Sequence, residues 1–155
     1  MTADAVLNAA KAKGVMIATA ESCTGGLVAA ALPEVPGSSQ VVECGFVTYS
    51  NNAKKELLGV SDSVLEHHGA VSEEVARAMA EGALRQARVD LAVSITGIAG
   101  PGGSEFKPEG RVCFGLAQTG QPTRAETIEF GAQGRTKVRH LARDHALALL
   151  LQALT

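Results

Sequence analysis

The chain has 155 residues, enough for one domain with a substantial core, and 46% of them are hydrophobic but only 3% aromatic. Its core must therefore consist mainly of Ala, Val, Leu and Ile. The formal net charge of −2 argues against a protein built to bind nucleic acid or an anionic membrane. The sequence has no apolar run of 18 or more residues and no basic-then-apolar leader, so neither a membrane span nor a signal peptide is expected.

Helical and strand patterns alternate along the chain. Helices are predicted over residues 3–13, 25–32, 53–58, 61–68, 73–87 and 136–154. Strands are predicted over residues 15–19, 41–49, 90–96, 111–117 and 126–130. With no internal linker, the pattern predicts a single three-layer α/β domain over residues 1–155, with a largely parallel sheet to which the late strand–turn–strand adds an antiparallel member. Apolar residues nearly encircle the end of the last helix, which indicates either deep burial or a partner surface.

The cysteines and histidines form no disulfide or metal-binding pattern. Cys23, Cys44 and Cys113 are few and scattered, which suits reduced thiols and a cytoplasmic protein. His140 and His145 are five residues apart on a predicted helix, a poor spacing for one shared metal. We therefore expect no metal site.

A serine stands where a predicted buried strand gives way to a glycine-rich turn. Ser22 follows that strand and precedes Gly25, Gly26 and a run of helix formers. Such a junction holds a side chain rigidly beside the unpaired N–H groups of a helix N-terminus. It suits a nucleophile with an oxyanion site, or a pocket for an anion. The alternative is that Ser22 and Thr24 only cap the helix.

A serine nucleophile needs a base, because its hydroxyl is hardly ionised at neutral pH. No histidine follows a clear predicted strand, whereas Lys54 lies just past the second one, near Tyr49. Burial in a cleft would lower the pKa of Lys54 and let it accept the serine proton, with the tyrosine hydroxyl relaying or orienting. The alternative is a solvated lysine in the first turn of a short helix. Cys23 is a second candidate nucleophile, although no histidine partner is placed for it.

A glycine-rich segment, residues 97–103, follows the third predicted strand. It lacks the Gly-Lys-Ser/Thr ending of a Walker loop and the spacing of a dinucleotide fingerprint, so it favours neither ATP nor NAD. Its glycines permit positive φ angles and let backbone N–H groups approach an anion or a carbonyl. The alternative is a plain tight turn. Like Ser22 and Lys54, this segment stands at a strand end, where open α/β sheets place their sites.

Several of these segments, in this order, resemble the CinA C-terminal domain family, whose characterised bacterial members include nicotinamide mononucleotide amidases. The matching segments are Thr19-Ala20-Glu21-Ser22-Cys23-Thr24-Gly25-Gly26, Gly45-Phe46-Val47-Thr48-Tyr49-Ser50-Asn51 with Lys54, His68-Gly69-Ala70-Val71-Ser72, Ser94-Ile95-Thr96-Gly97-Ile98-Ala99-Gly100-Pro101, and Lys107-Pro108 with Gly110 and Val112. The resemblance runs from about Ala3 to Leu151.

The resemblance implies a three-layer α/β/α sandwich with a mixed, mostly parallel sheet of about five strands, a homodimer, and neither metal nor cofactor. It places a serine nucleophile at Ser22 and a lysine base at Lys54, with Tyr49 as the matching tyrosine. The substrate-binding residues that it implies are Thr24, Gly25, Gly26, Thr96, Gly97, Gly100 and Arg135. The implied reaction hydrolyses the carboxamide of nicotinamide mononucleotide, a small-molecule substrate, to nicotinic acid mononucleotide and ammonia.

Two segments depart from the family pattern. Where the family has Gly-Asp-Arg, this chain reads Gly131-Ala132-Gln133-Gly134-Arg135 and lacks the aspartate. The Pro101-Gly102-Gly103 loop is one residue shorter than the Pro-Asp-Gly-Gly of many members and lacks the acid.

Two other functions stay open at this point. One is a non-catalytic interaction module that works beside competence and recombination machinery and uses the apolar 147–154 face of the last helix. The other is an amidase for a different small amide or a damaged nucleotide.

Overall fold

The computed structural model describes residues 2–104 and 106–155, which fold into helices on both faces of one sheet. The helices are α1 Thr2–Lys13, α2 Leu27–Ala31, α3 Asn51–Leu58, α4 Asp62–His68, α5 Glu73–Ala87 and α6 Arg135–Leu154. The strands are β1 Ile17–Glu21, β2 Val42–Val47, β3 Leu91–Gly97, β4 Arg111–Gln118 and β5 Arg124–Glu129. The predicted elements are confirmed, with shifts of a few residues at their ends.

The first strand is displaced at both ends: it is Ile17–Glu21 rather than residues 15–19. The N–H of Val15 donates to the carbonyl of Ala10 and so belongs to the end of α1. The N–H of Ile17 is the first to bond across to the second strand segment, at the carbonyl of Val41. The strand therefore extends to Glu21 and brings Ser22 to its very end.

The sheet has the order β2-β1-β3-β4-β5. The β1–β2 and β1–β3 pairs are parallel, whereas the β3–β4 and β4–β5 pairs are antiparallel. Four strands consequently run in one direction and β4 runs against them. This confirms the prediction of a mixed, mostly parallel sheet with a late antiparallel member.

Alternation along the strands sends side chains to two separate cores. Ile17, Val93 and Ile95 pack with buried residues of α1, α2 and α6. Ala18 and Ala92 point the other way and pack with buried residues of α3, α4 and α5. The carboxyl ends of the three adjacent parallel strands therefore meet at one edge between two helical layers, which is where α/β sheets place their sites.

The apolar end of α6 belongs to the first of these cores. Leu147, Leu150 and Leu154 are buried there, so the hypothesis that this face is a partner surface is wrong for these side chains. None of the described helices combines the length and the apolar character that crossing a bilayer requires.

Candidate active site

The turn after β1 is fixed by the residue before the candidate nucleophile. The Glu21 carboxylate is fully buried and accepts hydrogen bonds from the N–H groups of Val28 (3.0 Å) and Ala29 (2.9 Å) at the start of α2. The N–H of Ser22 donates to the carbonyl of Ile95 on β3 at 2.9 Å. The alternative that Ser22 or Thr24 caps the helix is wrong, because Glu21 occupies that role and fills the anion site that the helix would otherwise offer.

Lys54 reaches Ser22 from the helix that follows β2. Ser50 caps α3 by accepting from the N–H of Ala53 at 3.0 Å, which turns Lys54 toward the interior. There the lysine is 1% exposed, and its Nζ lies 3.1 Å from the Ser22 Oγ. The Nζ also donates to the carbonyls of Thr48 at 3.0 Å and Tyr49 at 3.2 Å. The alternative of a solvated lysine is therefore wrong.

Burial shifts the pKa of Lys54 on α3 and that of Cys23 in the turn after β1. Desolvation lowers the pKa of Lys54 below its ordinary value. No carboxylate of the described residues pairs with this ammonium. Burial also raises the pKa of the Cys23 thiol to about 11, so that thiol stays protonated and is a poor nucleophile at neutral pH.

The neutral form of Lys54 fits its three oxygen neighbours. An amine has two N–H groups and one lone pair, and the carbonyls of Thr48 and Tyr49 can each accept one N–H. The remaining lone pair then faces the hydroxyl of Ser22, which donates to it. In that arrangement the two carbonyls orient the amine so that its lone pair points toward the Ser22 hydroxyl.

A cleft of about 330 Å³ opens beside this pair. Its lining includes seven of the residues singled out from the sequence, namely Ser22, Lys54, Tyr49, Thr96, Gly97, Gly100 and Arg135. Sequence reasoning missed the opposite wall at Ala70 and Val71, which also lines the cleft. The only available signal was their place in the His68–Ser72 motif.

Thr24, Gly25 and Gly26 do not line the cleft. The N–H of Gly25 donates back to the carbonyl of Ser22 at 3.0 Å, and the carbonyl of Thr24 faces Arg139. The structure therefore brings together the serine, the lysine and the glycine-rich loop, and leaves residues 24–26 outside the cleft lining.

Arg135, the first residue of α6, spans the mouth of the cleft. Its Nη1 donates to the carbonyl of Gly100 at 2.6 Å and its Nη2 to the Tyr49 hydroxyl at 2.9 Å. Tyr49 is 60% exposed. Its hydroxyl contacts Arg135, and it is the Tyr49 backbone carbonyl that contacts Lys54.

The shortened glycine loop is contacted by the carboxylate of Glu109. The Glu109 Oε1 accepts from the N–H of Gly102 at 2.5 Å, and a Cβ at Gly100 would lie 2.7 Å from the Glu109 Cδ. A glycine is therefore required at position 100, where φ is +93°. A carboxylate seven residues after Gly102 thus contacts the backbone of the shortened loop.

The opposite wall of the cleft is held by two side chains. The Thr96 hydroxyl donates to the carbonyl of Ala70 at 2.8 Å, and the Lys107 ammonium donates to the carbonyls of His68 and Val71. Within the described ranges, no group of three or more His, Cys, Asp or Glu side chains could hold a metal ion.

Fold and cleft together define an α/β/α protein with a buried serine–lysine pair at the carboxyl end of its central strands. The family model described as CinA C-terminal domain matches residues 1–154. The chain therefore belongs to the CinA C-terminal domain family, which confirms the resemblance drawn from the motifs.

Two curated relatives illustrate the range of names in this family. A "Putative competence-damage inducible protein" of Symbiobacterium thermophilum is 54% identical over 147 residues, covering 89% of this chain and 34% of that protein. A "Nicotinamide-nucleotide amidohydrolase PncC" of Enterobacter agglomerans is 60% identical over 110 residues, covering 70% of this chain and 67% of that protein. The chain spans about a third of the length of most curated relatives that it matches.

A solved structure confirms the fold. The competence/damage inducible protein CihA of Agrobacterium tumefaciens is 45% identical, with a TM-score of 0.94 over 99% of this chain and 93% of that one.

Proposed function

We propose that this chain is an amidase that hydrolyses the carboxamide of nicotinamide mononucleotide to nicotinic acid mononucleotide and ammonia, which would serve pyridine nucleotide recycling. The observation that carries the proposal is the 3.1 Å contact between the Ser22 Oγ and the Nζ of a buried Lys54. The similarity to a protein named nicotinamide-nucleotide amidohydrolase supports the substrate.

In the first half-reaction, neutral Lys54 takes the proton of Ser22 while the serine oxygen attacks the carboxamide carbon. The tetrahedral intermediate then collapses, the C–N bond breaks, and the Lys54 ammonium returns the proton to the departing nitrogen, which leaves as ammonia. In the second half-reaction, Lys54 takes a proton from water while the water oxygen attacks the acyl carbon. The bond between that carbon and the Ser22 Oγ then breaks, Lys54 returns the proton to the Ser22 Oγ, and nicotinic acid mononucleotide leaves. The cationic pyridinium ring withdraws electrons from the carboxamide, so the substrate supplies part of its own activation.

The glycine-rich loop is the better source of oxyanion donors. Ala99 and Gly100 line the cleft, and the N–H of neither residue has a hydrogen-bond acceptor among residues 2–104 and 106–155. By contrast, Thr24, Gly25 and Gly26, the alternative source of donors, do not line the cleft, and the N–H of Gly25 is already bonded to the carbonyl of Ser22. We therefore assign the oxyanion to the Ala99–Gly100 backbone, where one donor is worth about 3 kcal/mol.

Arg135 is the candidate for the substrate phosphate. Its guanidinium stands at the cleft mouth, and a planar fork of donors matches two phosphate oxygens. The phosphate would replace the Tyr49 hydroxyl as acceptor. A cytoplasmic location and a homodimer stay predictions from the sequence.

The test is ammonia release by the purified chain across a panel of pyridine nucleotides and simple amides. We expect nicotinamide mononucleotide to be turned over, with Ser22→Ala inactive and Cys23→Ala close to wild type, since the Cys23 thiol is buried and protonated. Treatment with EDTA should leave the rate unchanged. An inactive Cys23→Ala beside an active Ser22→Ala, or activity lost to EDTA and restored by zinc, would contradict the mechanism.

A further inference from the structure

A second arginine of α6 holds the turn that carries Ser22. The Arg139 Nε donates to the carbonyl of Cys23 and its Nη2 donates to the carbonyl of Thr24, each at 3.0 Å. Arg139 lies one helical turn after Arg135, so both guanidinium groups project from the same side of α6 toward the cleft region. One reaches the mouth of the cleft, and the other reaches the backbone behind the serine.

The part of α6 that carries Arg139 is anchored in the core. Val138 and Ala142, its neighbours on α6, are fully buried in the core. The absence of a side chain at Gly25 leaves space for the guanidinium, because a Cβ there would lie 3.2 Å from the Arg139 Nη2. Gly25 has a φ of +59°, which further favours glycine there.

The Cys23 carbonyl depends on this contact. The Thr24 carbonyl also accepts from the N–H of Leu27, at 3.2 Å. For the Cys23 carbonyl, however, Arg139 is the one hydrogen-bond donor within the described part of the chain. Removing the guanidinium would free the peptide plane between Cys23 and Thr24 to rotate, immediately after the nucleophile.

The orientation of that plane has two consequences for Ser22. A peptide is planar and trans, so holding the Cys23 carbonyl toward α6 also fixes the direction of the Thr24 N–H. The Arg139 contact therefore also fixes the backbone on the C-terminal side of Ser22. The hydrogen bond from the Ser22 N–H to the Ile95 carbonyl fixes the backbone on its N-terminal side. The serine is thereby held on both sides, at the distance from Lys54 that proton transfer needs.

We propose that Arg139 is a positioning residue, which fixes the Cys23–Thr24 peptide and so keeps the Ser22 hydroxyl against Lys54. This assignment rests on the proposed function for its turnover assay, but Ser22 reactivity tests it separately. Arginine suits the role better than lysine, because its fork bonds two carbonyls at once.

The experiment compares Arg139→Ala, Arg139→Lys and Arg143→Ala with the wild type in two assays. One measures the rate and final extent of Ser22 labelling by a fluorophosphonate, in which the serine oxygen displaces fluoride from phosphorus. The other measures kcat and KM for nicotinamide mononucleotide, and the pH at which the rate falls. Arg143 is the matched control, because it lies on the same helix and bonds its neighbour Asp144 instead of the turn.

We expect Arg139→Ala to lower both the labelling rate and kcat by about a hundredfold, the effect of misplacing a reacting group by about 1 Å. KM, the final extent of labelling and the midpoint of the pH profile should not move, because the cleft, the folded fraction and the burial of Lys54 are kept. Arg139→Lys should recover part of the loss, and Arg143→Ala should match the wild type. If Arg139→Ala does not fold, Arg139→Lys carries the test, with an expected loss of about tenfold.

Three results would overturn the assignment. If folded Arg139→Ala has the labelling rate and the kcat of the wild type, the turn does not need Arg139 to position Ser22. A rise in KM alone would make Arg139 a substrate contact. A wild-type Ser22 that resists labelling would leave no nucleophile to position, whereas rapid labelling without ammonia release would refute only the proposed substrate.

Discussion

Two adjacent lysines on α3 have opposite surroundings. Lys54 faces inward, is 1% exposed, and contacts the Ser22 hydroxyl and two backbone carbonyls. Lys55 faces outward, with its side chain 36% exposed, and pairs with the Asp62 carboxylate at 2.8 Å. Burial lowers the pKa of Lys54, whereas the hydrogen bond to Asp62 raises the pKa of Lys55.

The difference shows that residue type alone does not decide what a lysine does. An inward lysine without a carboxylate partner is pushed toward its neutral form and can act as a base. An outward lysine in an exposed ion pair keeps its proton and contributes little. Lys54 and Lys55 differ in this way although they are consecutive residues of α3.

The largest expected effect comes from removing each amine in turn. Lys54→Met should lower kcat about 10²- to 10⁴-fold, the usual contribution of a general base. Lys55→Met should stay within about twofold of the wild type, because an exposed ion pair has little influence on the cleft. Ammonia release by matched amounts of folded protein measures both.

A double variant sharpens this result. Because nucleophile and base act as one unit, Ser22→Ala combined with Lys54→Met should be hardly worse than either change alone. Equal losses from Lys54→Met and Lys55→Met, or independent losses in the double variant, would refute the Ser–Lys assignment.

The next effect is on the pH profile. Only neutral Lys54 can accept the serine proton, so kcat/KM should fall about tenfold per pH unit below the pKa of Lys54 and level off above it. That midpoint should lie below the ordinary lysine value, because burial lowers the pKa. Initial rates across a pH series measure it.

Lys55→Met is again the control and should leave the midpoint unchanged. The lowered pKa of Lys54 also makes the stability of the fold depend on pH. Between the lowered pKa and the ordinary lysine pKa, the folded chain binds fewer protons than the unfolded chain. The free energy of unfolding therefore rises with pH across this range. That contribution is lost as the pH falls. A midpoint at or above the ordinary lysine pKa would contradict the role of burial.

The smallest effect concerns a third cation, Arg135, which is not buried like Lys54 and, among residues 2–104 and 106–155, is not paired with a carboxylate like Lys55. Arg135 donates to Gly100 and Tyr49 at the cleft mouth. Arg135→Ala should raise KM for nicotinamide mononucleotide about tenfold, the value of one charge-assisted hydrogen bond. The phosphate-free riboside, as a second substrate, should show a smaller change. Equal losses on both substrates, or none, would remove Arg135 from the phosphate site.

The sequence could predict what depends on neighbours within one helical turn. The helix predicted over residues 73–87 is confirmed as α5 Glu73–Ala87, with Ser72 as its N-cap and one face of apolar side chains buried. The glycine-rich turns located the strand ends, and the motifs identified the family before the fold was known. These features are local, because caps and periodicity involve residues three or four positions apart.

Tertiary packing decided the rest, because the contacts that define the site join distant parts of the chain. Lys54 and Ser22 are 32 residues apart, and Arg139 and Cys23 are 116 apart. No local pattern shows that Glu21 rather than Ser22 or Thr24 caps α2, or that Glu109 supplies a carboxylate to the shortened loop. Burial, which lowers the pKa of Lys54 while Lys55 stays on the surface, exists only once the sheet and both helical layers have packed together.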